Sequence, residues 1–180
     1  MGRTAAPVLR TWTAGEVPLG QYLNSLRDAL AYLLSPPQCE VYQAVTQNIG
    51  SAATPASGNA ITFDSEVMDS DGMHSTTTNT TRVVAPLADE YDIVGGVSFA
   101  GNGTGRRGGQ WAINGALVAN TLTFHSSGST SALSVPMRST RQFFNAGDYV
   151  ELWAAQDSGS TLATGTGPNG SYLGLFRASS

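Results

Sequence analysis

Four acidic side chains fall within residues 64–72: Asp64, Glu66, Asp69 and Asp71. Asp64 and Glu66 are two positions apart, which on an extended segment puts them on one face about 7 Å from each other. An inverting glycosidase uses such a spacing to admit water between its acid and its base. Asp69-Ser70-Asp71-Gly72 carries the oxygen spacing of part of a calcium loop, without the bidentate acid that closes one. Solvated loop charge is the competing reading of both, and calcium, here or on an oligomer axis, stays open. Asn102, Arg106 and Arg107 lie in a glycine-rich stretch over 101–109 and are candidate contacts for an anionic sugar or an acidic partner; a pair of adjacent arginines also fits an ordinary solvated turn.

Other chemistry finds less support. Gly-x-Ser-x-Gly is absent, and nothing in the sequence couples His74 or His125 to a serine or an acid. Gly103-Thr104-Gly105-Arg106-Arg107-Gly108 and Gly165-Thr166-Gly167-Pro168-Asn169-Gly170 both match Gly-x-Gly-x-x-Gly. Neither opens a helix whose amino end would meet a pyrophosphate, so both read as turn glycines. A Walker loop needs a lysine, and all nine basic residues are arginine. The single Cys39 makes no intrachain disulfide and with two histidines builds no zinc site; it reads as a small buried hydrophobe. The expectation is a protein that is not an enzyme and needs no cofactor.

The elements that position these residues follow from composition and period. A chain of 180 residues makes one domain of ordinary size plus an appendage, and only 12% of it is charged. Its net charge of −4 offers no basic field for nucleic acid. No run approaches the ~18 apolar residues of a membrane span. Met1–Ala6 has no apolar core of a signal peptide, and Ala6 stands where a myristoylation signal wants Ser or Thr, so synthesis in a cytoplasm is expected.

Residues 1–18 read as an extended arm. Trp12 on it either docks on a partner or packs on its own domain. From Leu19 to Leu34 the spacing becomes helical: Leu23, Leu26, Leu30 and Leu33 recur at steps of three, four and three, widened by Leu19, Tyr22 and Leu34, and Ser35-Pro36-Pro37 stops the run. Such a stripe lies on its own domain, self-associates as a short coiled coil, or docks on another protein. Residues 1–37 are therefore assigned to attachment or oligomerisation and 38–180 to a head.

The head is β throughout. The sequence predicts strands over 41–49 and 60–63, with an acidic loop over 64–72. Val83 and Ala85 share one side of a strand that Pro86 ends. Tyr91–Phe99 is a central strand: its odd positions are apolar, while Asp92, Val94, Gly96 and Ser98 face solvent or a second subunit. Further strands are expected over 110–113, 117–125, 132–144, 149–155 and 172–177, with a tight turn at Asn114-Gly115. On 149–155 Tyr149, Glu151 and Trp153 share one face, and Val150, Leu152 and Ala154 the other. Eight to ten short strands without an intervening helix point to an antiparallel sandwich.

The order of these pieces resembles the globular head of the first complement component, in the tumour necrosis factor-like jelly-roll superfamily. Ile61-Thr62-Phe63-Asp64, Arg82–Pro86, Tyr91–Phe99, Gly147-Asp148-Tyr149-Val150-Glu151-Leu152 and Leu173-Gly174-Leu175-Phe176 carry the likeness over residues 39–178. The resemblance implies an all-β jelly roll of about ten strands that forms homotrimers with aromatic residues along the threefold axis. The phenylalanine usual near Val84 is missing, and no collagen repeat precedes the head. At the front, Thr11-Trp12-Thr13-Ala14-Gly15-Glu16-Val17, Asn24-x-x-Arg27-Asp28 and Leu33-Leu34 resemble the start of virion structural proteins of actinobacterial phages. That implies a virion-surface protein, on capsid or tail, whose partners are itself and other capsid or tail proteins. An adhesin that binds host cell-wall glycan through the loops around 102–109 and 126–130 is the alternative.

Overall fold

Alternating apolar residues on short strands drive two antiparallel sheets face to face. The structure, a computed structural model, describes residues 11, 13, 15, 20–128, 130–167 and 170–178. One helix, α1 (Gly20–Leu34), precedes every strand and stops at the prolines that follow Ser35.

The first sheet holds β1 (Gln38–Tyr42), β3 (Ser65–Asp69), β5 (Asp89–Phe99), β9 (Leu133–Pro136), β10 (Thr140–Phe144) and β13 (Tyr172–Arg177). Its order is β10-β5-β13-β1-β3, with β9 also paired to β5. The second holds β4 (Val83–Val84), β6 (Arg106–Ile113), β7 (Ala116–Leu117), β8 (Thr123–Ser126) and β11 (Tyr149–Gln156). There β11 lies between β4 and β6, and β7 and β8 pair with β6. A small ladder joins β2 (Asn48–Ile49) to β12 (Leu162–Ala163).

Strand β5 is central, as its period predicts. Tyr91, Ile93, Val97 and Phe99 are fully buried and meet Leu173 and Leu175 of β13, Cys39 and Val41 of β1, and Val150, Leu152 and Ala154 of β11 in one core. The Asn114-Gly115 hairpin has positive φ at both residues, 51° and 78°, the backbone of a type I′ turn.

Three expectations need correction. Residues 41–49 are not one strand. The chain turns after Tyr42 because both carboxylate oxygens of Asp64 accept backbone amides, Ala44 N at 2.7 Å and Val45 N at 2.8 Å. Residues 60–63 form no continuous ladder: Ala60 bridges to Trp153, Ile61 N donates to Leu152 O and Phe63 N to Thr80 O, although Ile61 and Phe63 are fully buried. The acidic stretch expected as a loop contains the edge strand β3, with a register shift opposite Glu40 and Val41 that hides its alternation.

Trp111 on β6 reaches across the sandwich to the first sheet. Its indole N–H donates to Arg138 O at 2.8 Å, and its ring fills the space a side chain would take at Gly95. A Cβ there would stand 2.5 Å from the Tyr172 carbonyl oxygen and 2.7 Å from Trp111 Cη2. Backbone on one side and a fully buried ring on the other leave neither neighbour free to move. Gly95→Ala is therefore expected to cost about 1–3 kcal/mol by overpacking, read as a lower urea midpoint with an unchanged slope; an unshifted midpoint would show that the sheets are not this close.

Candidate self-association face

The outward rows of the first sheet carry aromatic rings laid against glycine. Tyr42 pairs with Tyr172, Tyr172 with Gly96, and Gly96 with Pro136, so one row crosses four strands. A Cβ on Gly96 would stand 3.0 Å from Tyr172 Cε1, and one on Gly174 would stand 2.5 Å from Phe176 Cε2. Both rings thus lie over backbone rather than standing out from the sheet. Tyr172 forms a ridge between two hollows. One, of about 530 Å³, is lined by Glu40, Tyr42, Val67 and Gly170; the other, of about 250 Å³, by Gly96, Ser134 and Pro136.

At the far side of the sheet Phe143 is 63% exposed, and at the near side Val67 is 58% exposed. Between them Arg141 grips Asp92 with two parallel bonds, Nε to Oδ1 at 2.8 Å and Nη2 to Oδ2 at 2.9 Å. That hydrogen bonding holds the Asp92 carboxyl below the usual carboxylate range.

The opposite outer face is covered in part by the chain itself and keeps a hollow of about 440 Å³ lined by His74, Asn79, Arg82 and Tyr149. Glu151 of β11 is buried, accepting Thr81 Oγ1 at 2.7 Å, Arg82 Nε at 3.1 Å and Trp153 Nε1 at 3.0 Å. The Arg82 guanidinium also lies 4.1 Å over the Tyr149 ring. Among the described residues no comparable segment covers the first sheet.

The residues picked from the sequence for chemistry are mostly clamps. Asp69 holds the amides of Asp71, Met73 and His74. His74 sits with its ring nitrogens 2.9 and 3.1 Å from the carbonyl oxygens of Arg82 and Phe63. Among the described residues no group of three His, Cys, Asp or Glu side chains could hold a metal ion. Cys39 is fully buried, and burial with nearby Asp69, Glu66 and Glu40 pushes its thiol far up.

In the glycine-rich loop Arg107 needs correction as a ligand contact. It is 1% exposed, its guanidinium donating to the carbonyl oxygens of Arg106 and Asn102 at 2.9 and 3.1 Å. Arg106 faces outward, paired with Asp157 at 2.8 Å and lying 4.8 Å over the Phe124 ring, and Asn102 Oδ1 accepts Thr104 N at 2.9 Å. On the helix, Tyr22 is half-buried and Ala29 buried, whereas Leu23, Leu26, Leu30 and Leu33 are exposed. Trp12 and Leu19 lie outside the described residues.

This geometry can be set against known proteins. No protein-family model matches the chain. The globular domain of zebrafish complement 1qA superposes with a TM-score of 0.50 at 14% identity, over 77% of this chain and 94% of that one. Murine APRIL gives 0.57 at 12% identity, over 79% and 98%. The fold is the complement- and tumour necrosis factor-type jelly roll. Eiger TNF from S. frugiperda shares this jelly roll at a TM-score of 0.53 and 12% identity, over 79% and 93%. In sequence, an uncharacterized protein of Acanthamoeba polyphaga mimivirus is 36% identical over 86 residues, 46% of this chain and 36% of that protein's length.

Sequence reasoning marked the even positions of β5 on this jelly roll but missed Tyr42, Val67, Phe143 and Tyr172. The signal for Tyr172 lay in β13, where Tyr172, Gly174 and Phe176 alternate with the core leucines.

The loop clamp predicts a pH dependence. Asp157 accepts the Arg106 amide and side chain, and these bonds, backbone first, hold its carboxyl below the ordinary value. A depressed folded pKa adds stability that is full above the unfolded carboxylate value of about 3.9 and fades as pH falls through the folded one. Asp157→Asn should flatten the acid limb of stability below about pH 4, measured as urea midpoint against pH; an unchanged limb would mean that the clamp does not differ between folded and unfolded chains.

Proposed function

We propose that this is a non-enzymatic bacteriophage virion protein, a homotrimeric jelly-roll head shown on the particle surface and held to the capsid or tail by residues 1–37. One observation carries the self-association: the outer face of the first sheet exposes Tyr172 and Val67 beside two hollows and Phe143 at its far side, while Thr81 and Arg82 lie over Glu151 on the other outer face. A face of this composition on a secreted or displayed head marks an interaction site. A threefold ring also needs two different patches on each copy. The Phe143 side and the Tyr42–Tyr172 hollow supply them.

The jelly-roll neighbours support the trimer, in keeping with the resemblance on which the sequence already drew. The relative from a mimivirus supports a viral setting. The resemblance of the first 34 residues to actinobacterial phage proteins supports attachment to a phage particle. For the non-enzymatic reading, Asp64 of the acidic pair has both oxygens taken by backbone amides and is not free to serve as an acid or base.

Light scattering on the full chain should give three times the 18.7 kDa chain mass. Phe143→Asp combined with Tyr172→Asp should give a monomer with an unchanged far-ultraviolet circular dichroism spectrum. A wild-type monomer at micromolar concentration would end the trimer, and antibody-labelled micrographs of virions without surface signal would end the placement.

A further inference from the structure

We infer that the leucine face of α1 is covered by the same helix of the other copies, in a parallel, in-register bundle that continues the axis of the head. Leu23, Leu26, Leu30 and Leu33 are 54, 45, 49 and 63% exposed, and their three-four-three steps are the core seam of a coiled coil. A helix of 15 residues is marginal alone in water, so its seam requires cover. Ala29 on the flank of the seam is buried, but the four leucines themselves stay open.

Two features of the chain choose a second copy of this helix as the cover. The first is charge. Arg27 and Asp28 are the only charged residues of α1, and they pair with each other at 2.7 Å, so the helix is electrically neutral and identical copies do not repel. The second is continuity with the open face. Pro37 O accepts the Arg177 amide at 3.0 Å, and Ser70 Oγ accepts the Gln38 amide at 3.0 Å, which fixes the connection to β13 and to the turn after β3. Gln38 pairs with Phe176, so the helix leaves the sandwich beside an outward ring of the self-association face. Copies related by rotation about an axis at that face deliver their helices to one end of the assembly, all pointing the same way. The helix is then about 22 Å of shared stalk, and residues before it are left for the particle.

That the bundle has three strands rests on the trimeric head proposed above; that the helix pairs with itself does not. The test is disulfide trapping in the full chain, with Leu30→Cys on the seam and Asp28→Cys on the opposite side as its control. Cys39 is fully buried and does not compete. In a parallel bundle equivalent seam residues meet at the axis, so mild oxidation should link the Leu30→Cys chains in pairs, up to roughly two thirds of all chains in a trimer, while Asp28→Cys stays near background. Absence of the Leu30→Cys link in a protein that still scatters light as a trimer would overturn the stalk and leave the head reading intact. Equal linkage at both positions would overturn it too, because random collision does not select a seam. Linkage confined to Leu30→Cys in a dimer would support self-pairing of the helix and remove the three-strand count.

Discussion

Two consecutive glycines set the thickness of the molecule at its centre. Gly95 points inward and receives the ring of Trp111 from the opposing sheet; Gly96 points outward and receives the ring of Tyr172 from the neighbouring strand. Successive residues of a strand face opposite sides, so this pair thins β5 on both at once. The inner contact draws the sheets together around a core that includes Tyr91, Phe99 and Leu152. The outer one lays an aromatic surface flat enough for another body to approach. Core packing and the shape of the outer face are therefore coupled through one strand.

The two outer faces then have different fates. The long excursion between β1 and β4 bridges to β11 of the second sheet and adds β3 to the first, and its polar residues tie it down: Asp64 to the turn at 44–45, Asp69 to the amides at 71–74, and Thr81 and Arg82 to the buried Glu151. Most of the side chains that invite a catalytic reading are consumed in this way, because a long irregular segment must place its backbone amides somewhere and a carboxylate can take several. Nothing equivalent spans the first sheet among the described residues, and its rings remain exposed. An apolar face with exposed rings, beside one whose hollow is lined largely by polar groups such as His74, Asn79 and Arg82, is the asymmetry on which the functional reading stands.

Much was legible before any coordinates. The period of two in 91–99, the alternation in 149–155, the Asn-Gly turn and the helical leucine steps each report a local constraint, and each element formed where that constraint lay. What was lost in the sequence involved distant partners. Ile61 and Phe63 read as a strand because they are buried, yet burial comes from the sandwich rather than from a ladder. Met68 and Val67 read as loop because an edge strand with a shifted register does not alternate. Arg107 looked like a surface cation beside Arg106, but its strand pairs with Gln156 and His125, and its guanidinium is buried against the carbonyl oxygens of Arg106 and Asn102.

The sequence by itself determined which residues belong to strands, to the helix and to the core, since those choices follow from spacing along the chain. Tertiary structure alone decided which of two equally patterned sheets would be covered, which acids would become clamps, and that the leucine seam would face away from its own head. The physical reason is that periodicity assigns a side chain to a face, whereas exposure of that face depends on which remote segment has the length and the hydrogen-bonding groups to lie across it.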